Sequence, residues 1–137
     1  MVVAICCAQV AAKALNGPDP LLAAAKAKDG AAVKALLKNG ADVNVAQGDG
    51  MTALHWAASH GDAALTQMLL SAGANVRATT RLGGITPLHM ASQSGHAAVV
   101  AALIAAGAET NAATSTGATS LMLAARSGST DTVTRLI

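Results

Sequence analysis

The feature that most constrains this sequence is an internal repeat of about 33 residues. The segment DGMTALH at residues 49–55 matches GGITPLH at residues 83–89, and weaker copies begin at residues 16 and 116. The four starts are separated by 33, 34 and 33 residues. A second landmark, Gly-Ala followed by Asp, Asn or Glu, keeps the same register at residues 40, 73 and 107. Two landmarks with one period predict a stack of similar units rather than a globule around one core.

Composition favours a slender, helical architecture. Apolar residues make up 53% of the 137 residues, yet the chain has one Trp and no Phe or Tyr. Its hydrophobicity is mostly Ala, which has the best helix propensity and lets neighbouring backbones approach closely. The formal net charge is only +2, and the basic residues are scattered. Nothing therefore indicates a nucleic-acid or membrane footprint.

The N-terminal stretch has two interpretations. Residues 2–12 are apolar but too few to span a bilayer, and Ala12-Lys13-Ala14 fits the small-x-small cleavage pattern of a secretory signal. No positively charged segment precedes the apolar run, as one would in a secretory signal. The alternative is a frayed helix or a disordered N-terminus at 1–14. Cys6 and Cys7 are adjacent and are the only cysteines, which predicts no disulfide framework. We expect a signal peptide at 1–14, and then secretion or periplasmic export; otherwise the chain is cytoplasmic.

Each repeat carries the signals of two short helices. Thr52, Thr86 and Thr119 stand where a side-chain oxygen caps a helix, and Pro20 and Pro87 suit the first helical position. Glycines then end each helix. The second helices carry apolar residues at helical spacing, which predicts that Leu69 and Leu103 are core residues. The repeats run over about 16–48, 49–82, 83–115 and 116–137 within a domain at 15–137.

Together these landmarks closely resemble the ankyrin repeat. Its pattern reads roughly D-G-x-T-P-L-H-x-A-A-x-x-G-H-x-x-V-V-x-x-L-L-x-x-G-A-D-V-N, and the third copy carries most of it over residues 84–111. The resemblance covers residues 16–137. It implies an all-α solenoid of stacked antiparallel helix pairs with hairpin-like β-turn connections.

Departures from the pattern fall in the end repeats. The first copy has Lys28 in place of the glycine between the helices and lacks the histidine, as a terminal capping repeat does. The fourth copy has Met122 in place of the histidine and stops at Ile137, inside its second helix. We therefore expect the fourth repeat to be truncated.

Residues that could suggest chemistry have a structural explanation in the repeat. His55 and His89 hold the same repeat position, so we expect each imidazole to tie a helix start to a neighbouring turn. No ligand spacing completes a metal site, and the Gly-rich turns lack the strand and lysine of a phosphate loop. No nucleophile has a base and an orienting group. We expect no enzyme activity, cofactor or metal.

The resemblance assigns partner contacts to the turn tips and to the exposed side of each first helix. The tip around Arg81, Leu82 and Ile85 combines apolar and basic side chains and is the best candidate contact patch, a solvated turn being the alternative. Trp56 fits either an interface or packing between repeats. The predicted contact residues are Gln47, Asp49, Met51, Trp56, Ser59, His60, Arg81, Leu82, Ile85, Gln93, Ser94 and Arg126.

The sequence thus predicts a non-catalytic protein-interaction module. We expect a monomer that binds another protein, with no nucleic-acid partner and no membrane association once a signal is removed. The alternative is that these repeats are the ankyrin part of a larger protein, exported if the N-terminus is a signal, whose catalytic or effector part is not in this chain. Fold alone does not name the partner.

Overall fold

A computed structural model describes residues 19–137, which form four consecutive helix pairs. Each pair is one repeat, and two or three residues join its helices. The prediction of an all-α repeat stack is confirmed. Repeat 1 holds α1 (Pro20–Lys26) and α2 (Gly30–Lys38), repeat 2 holds α3 (Ala53–His60) and α4 (Ala63–Ser71), repeat 3 holds α5 (Pro87–Gln93) and α6 (Ala97–Ala105), and repeat 4 holds α7 (Ser120–Ser127) and α8 (Thr130–Leu136).

The helices begin where the sequence supplies a cap. The Asp19 carboxylate accepts a hydrogen bond from the Leu21 amide at 2.8 Å, and Pro20 opens α1. Thr86 accepts from the His89 amide at 3.3 Å, and Thr119 accepts from the Met122 amide at 3.4 Å. These oxygens satisfy amides that have no partner within the helix. The caps predicted at Thr86 and Thr119 are therefore present, whereas Thr52 makes no side-chain cap hydrogen bond and its hydroxyl lies 2.9 Å from the His55 Nδ1 instead.

The helices form two layers. The first helices contact their neighbours in the order α1, α3, α5, α7, and the second helices contact theirs along α4, α6, α8. Each first helix also packs on the second helix of its own repeat. Every repeat therefore buries its apolar side against the adjacent repeats, so stability is close to a sum of nearest-neighbour terms.

Leucine columns fill the space between the layers. Leu54 and Leu88 occupy one repeat position on the first helices, and Leu69 and Leu103 occupy one position on the second helices. All four are at most 1% exposed, which confirms the predicted core positions. Burying one such side chain contributes about 1.5–3 kcal/mol.

Hairpin-like turns connect the repeats. Ala46 pairs with Thr52 and Ala113 with Thr119 as isolated antiparallel bridges, and the described residues contain no longer strand. Among residues 19–137, no helix combines the length and the apolar character needed to cross a bilayer. The signal peptide expected at 1–14 lies outside the described residues and stays a prediction.

Candidate functional site

The connecting turns are hydrogen-bonded to one another across the repeats. The Arg81 amide donates to the Asp49 carbonyl at 2.8 Å, and the Ser115 amide donates to the Gly83 carbonyl at 2.8 Å. The turns therefore form a continuous edge alongside the first helices. We call the turns 46–52, 80–86 and 113–119, together with the adjoining sides of α3, α5 and α7, the turn-side face.

His55 fixes the geometry of this face in repeat 2. Its Nδ1 accepts a hydrogen bond from the Thr52 amide at 3.2 Å and lies 2.9 Å from the Thr52 hydroxyl. Its Nε2 lies 2.9 Å from the Ile85 carbonyl in the next turn. Because an amide only donates and a carbonyl only accepts, the ring is the neutral tautomer with its proton on Nε2. Burial lowers the pKa of His55, in keeping with that neutral form.

His89 repeats the arrangement one unit further along. Its Nδ1 accepts from the Thr86 amide at 3.1 Å, and its Nε2 lies 2.9 Å from the Ala112 carbonyl. Both histidines are fully buried. The prediction that each imidazole joins a helix start to a neighbouring turn is confirmed, and these histidines hold the scaffold of the face.

The turn of repeat 3 contains the extra residue behind the 34-residue spacing. The closing amide-to-carbonyl bond runs from Gln47 to Met51 in repeat 2, but from Thr80 to Ile85 in repeat 3. The longer loop is held by the Thr80 hydroxyl, which donates to the Leu82 carbonyl at 2.7 Å. Leu82 consequently projects into solvent and is 82% exposed. This turn presents the most exposed apolar side chain of the face.

A hollow of about 220 Å³ lies between this turn, the next turn and helices α5 and α7. Three predicted contact residues, Ile85, Gln93 and Arg126, line it together. Leu123 adds to its apolar wall. The turn of repeat 4 supplies the remaining wall, through Thr114, Ser115, Thr116 and Ala118.

Trp56 lies at the other end of the face. It is half-buried and packs against the core cluster, while the Lys26 Nζ stands 5.3 Å from the ring centroid. That distance is within the range of a cation–π contact. The indole N–H is buried and has no hydrogen-bond partner. Trp56 thus contributes to packing between repeats, and only part of its surface is available to a partner.

The remaining predicted residues differ in accessibility. Asp49, Arg81 and Ser94 are exposed, and Gln47 and Ser59 are half-buried. The expectation that Met51 belongs to the exposed tip is wrong, because its side chain is only 8% exposed. In the turn of repeat 2, the Asp49 carboxylate accepts a hydrogen bond from the Met51 amide at 2.9 Å.

His60 is half-buried at the end of α3, near Trp56. Burial is the main cause of its lowered pKa, and the charge of Lys28 lowers the pKa further. Within the described residues, no group of three or more His, Cys, Asp or Glu side chains could hold a metal ion.

Sequence reasoning missed several lining residues of the hollow. Thr114, Ser115, Thr116 and Ala118 were not among the predicted contacts, although they are the repeat-4 counterparts of the turn that holds Arg81. Their small side chains gave no sign of a binding role. Aligning the repeats could have identified them, since the alignment places the turn at 113–119 beside the turn at 80–86.

Comparison with known proteins agrees with this geometry. The family model described as "Ankyrin repeats (3 copies)" matches residues 2–80 and again residues 76–137. The chain therefore belongs to the ankyrin repeat family, whose members are typically non-catalytic and generally mediate protein–protein interaction.

A stretch of 52 residues is 42% identical to the ankyrin repeat and LEM domain-containing protein 1 homolog of Caenorhabditis elegans. That match covers 38% of this chain and only 7% of the worm protein. The similarity supports the repeat assignment and concerns a small part of that longer relative.

Proposed function

We propose that this chain is a non-catalytic module that binds another protein on its turn-side face. The observation that carries the proposal is the hollow beside the turn of repeat 3, where Ile85, Gln93 and Arg126 come together from two repeats. A surface of this kind, with an apolar wall and a few polar groups at its rim, is typical of recognition sites. The exposed Leu82 and Arg81 extend it at the neighbouring tip.

The scaffold supports binding without chemistry. The two most buried histidines use both ring nitrogens in hydrogen bonds that join helix and turn, so neither is free to act as a general base. The alternative, that these repeats are the ankyrin part of a larger protein whose catalytic or effector part is not in this chain, stays a prediction. The length of the worm relative is compatible with it.

A capture experiment with charge-reversed variants tests the proposed face. The tagged chain would capture proteins from lysate of the cells that express it, with quantitative mass spectrometry as the readout. The Arg81→Glu/Arg126→Glu variant reverses two cations of the face. The Lys38→Glu/Arg135→Glu variant makes the same change in net charge on exposed residues of the second helices.

We expect the first variant to lose specific partners and the control to keep them, because only the first alters the turn-side face. Thermal unfolding of both variants would verify that they fold. Equal capture by the wild type and the Arg81→Glu/Arg126→Glu variant would argue against this face.

A further inference from the structure

The hollow between repeats 3 and 4 has the size and chemistry of a subsite for one side chain. Its volume of about 220 Å³ exceeds the roughly 150 Å³ cavity that holds a benzene ring. It is open to solvent, so an apolar side chain of a bound peptide can enter it. Ile85 and Leu123, both half-buried, offer the apolar contact.

A small residue, Ala118, is part of the wall of the hollow. Ala118 is the repeat-4 counterpart of Ile85, since each closes its turn by accepting a hydrogen bond, from Thr114 and from Thr80 respectively. An isoleucine side chain at position 118 would be larger than that of alanine by three carbon atoms. Replacing Ala118 with isoleucine therefore fills the hollow with a residue that the same fold already accepts one repeat earlier.

The rim of the hollow is cationic and rich in hydrogen-bond donors. Arg126 is exposed at its edge, Gln93 lies opposite on α5, and Thr116 adds a hydroxyl from the turn. No lining residue is acidic. Arg81, on the preceding tip, is a second exposed cation of the face. A guanidinium beside an apolar wall complements a carboxylate next to an apolar side chain.

We infer that the hollow binds an acidic peptide segment, with a leucine-sized side chain in the cavity and a neighbouring carboxylate on Arg126. The inference rests on the proposed function, because it names the chemical class of the partner at the same face. The apolar wall provides contact area, and Arg126 selects the charge.

Fluorescence polarisation with synthetic peptides tests this inference. The probe is a short labelled peptide that alternates Glu and Leu. Matched peptides replace every Glu with Gln, every Glu with Lys, or every Leu with Ala. We expect the Glu-Leu peptide to bind most tightly and its binding to weaken as salt is raised. The Arg126→Glu and Ala118→Ile variants should each weaken it by about fivefold to tenfold.

The Arg135→Glu variant is the control, because it makes the same charge reversal in the same repeat on the second helix. It should bind the Glu-Leu peptide as the wild type does. Equal affinity for the Glu, Gln and Lys peptides would overturn the acidic specificity. If Ala118→Ile still weakened the binding of all three peptides, the proposed binding face would stand. Binding of the Glu-Leu peptide that neither Arg126→Glu nor Ala118→Ile weakens, or no binding at all, would overturn the inference, whereas the capture experiment would judge the proposed function separately.

Discussion

Within residues 19–137, repeats 2 and 3 pack against a repeat on both sides, whereas repeat 4 packs only against repeat 3. Leu54, Leu88 and Leu121 hold the same position on the first helices, but the first two are 1% exposed and Leu121 is 40% exposed. The sequence at this position is the same in all three repeats, so the difference comes from packing alone. Burial in this fold is thus a property of two adjacent repeats rather than of one.

The repeat position that holds His55 and His89 also differs between repeats 2 and 3 and repeat 4. In repeats 2 and 3 the imidazole reaches forward to a carbonyl of the next turn, at Ile85 and Ala112. Repeat 4 has Met122 at this position, and its side chain is 59% exposed in the described residues. A buried imidazole is useful only where the following turn supplies an acceptor. The imidazoles of repeats 2 and 3 therefore depend on the turn that follows each of them.

The largest effect is expected from shortening the leucine column. Leu88→Ala should destabilise the fold by about 2–5 kcal/mol, because it leaves a cavity at a side chain that is only 1% exposed. Leu121→Ala removes the same atoms from a partly exposed site and should cost about 1 kcal/mol. Urea denaturation of both variants measures the difference. Equal losses in the free energy of unfolding would contradict the difference in packing between Leu88 and Leu121.

Substituting the glycine between the two helices should also destabilise repeat 2 more than repeat 4. Gly61 has φ +72, and a Cβ there would lie 2.5 Å from the His96 ring of the next repeat. Gly128 has φ +76, and nothing lies within 4 Å of a Cβ placed on it. Gly61→Ala should therefore cost about 2–4 kcal/mol, from backbone strain and steric overlap. Gly128→Ala should cost only the strain, about 1–2 kcal/mol.

Thermal melts of the two glycine variants check this pair. His96→Ala in the Gly61→Ala background should recover part of the loss, since it removes the overlapping ring. If the second substitution recovered nothing, overlap with His96 would not be the cause.

A His55→Met variant gives repeat 2 the side chain of repeat 4. It leaves the Thr52 amide and the Ile85 carbonyl without their imidazole partner, which should cost about 1–3 kcal/mol near neutral pH. The loss should shrink in acid. Because burial lowers the pKa of His55 below 6.5, the unfolded chain takes up this proton more readily than the folded one. The stability that neutral His55 provides is complete above about pH 6.5 and falls as the pH drops below that value.

Urea titrations at several pH values measure this linkage. The wild type should lose stability between neutral pH and about pH 5, and His55→Met should lose less over the same interval. Parallel curves for the two proteins would exclude His55 as a source of the pH dependence.

Much of the fold could be predicted from the sequence because the same landmark residues recur in several repeats at one spacing. Three threonines, three Gly-Ala landmarks and two histidines each gave the same register, so caps, helix pairs and the histidine bonds followed. The candidate site was less accessible to such reasoning. Met51 is buried in repeat 2, whereas its counterparts Ile85 and Ala118 are half-buried and line the hollow. These are differences between repeats. A repeat pattern describes only what the repeats have in common and therefore does not predict them.

The smallest expected effect concerns repeat 1, where Lys28 holds the position of Gly61 and Gly128. Lys28 adopts φ +62, a left-handed conformation that strains a residue with a Cβ. Lys28→Gly should relieve that strain and stabilise the chain by about 0.5–1 kcal/mol, the gain being reduced by the greater freedom of glycine in the unfolded state. Urea denaturation measures it.

Lys28→Ala separates backbone strain from charge. Either substitution removes the cation that lowers the pKa of His60, so NMR titration should show that pKa rising in both variants. Only Lys28→Gly also removes the Cβ, and only Lys28→Gly should therefore be more stable than the wild type. If Lys28→Ala gained as much, charge repulsion rather than backbone conformation would be the defect of repeat 1, and the inter-helix glycines of the other repeats would need an explanation other than their φ angles.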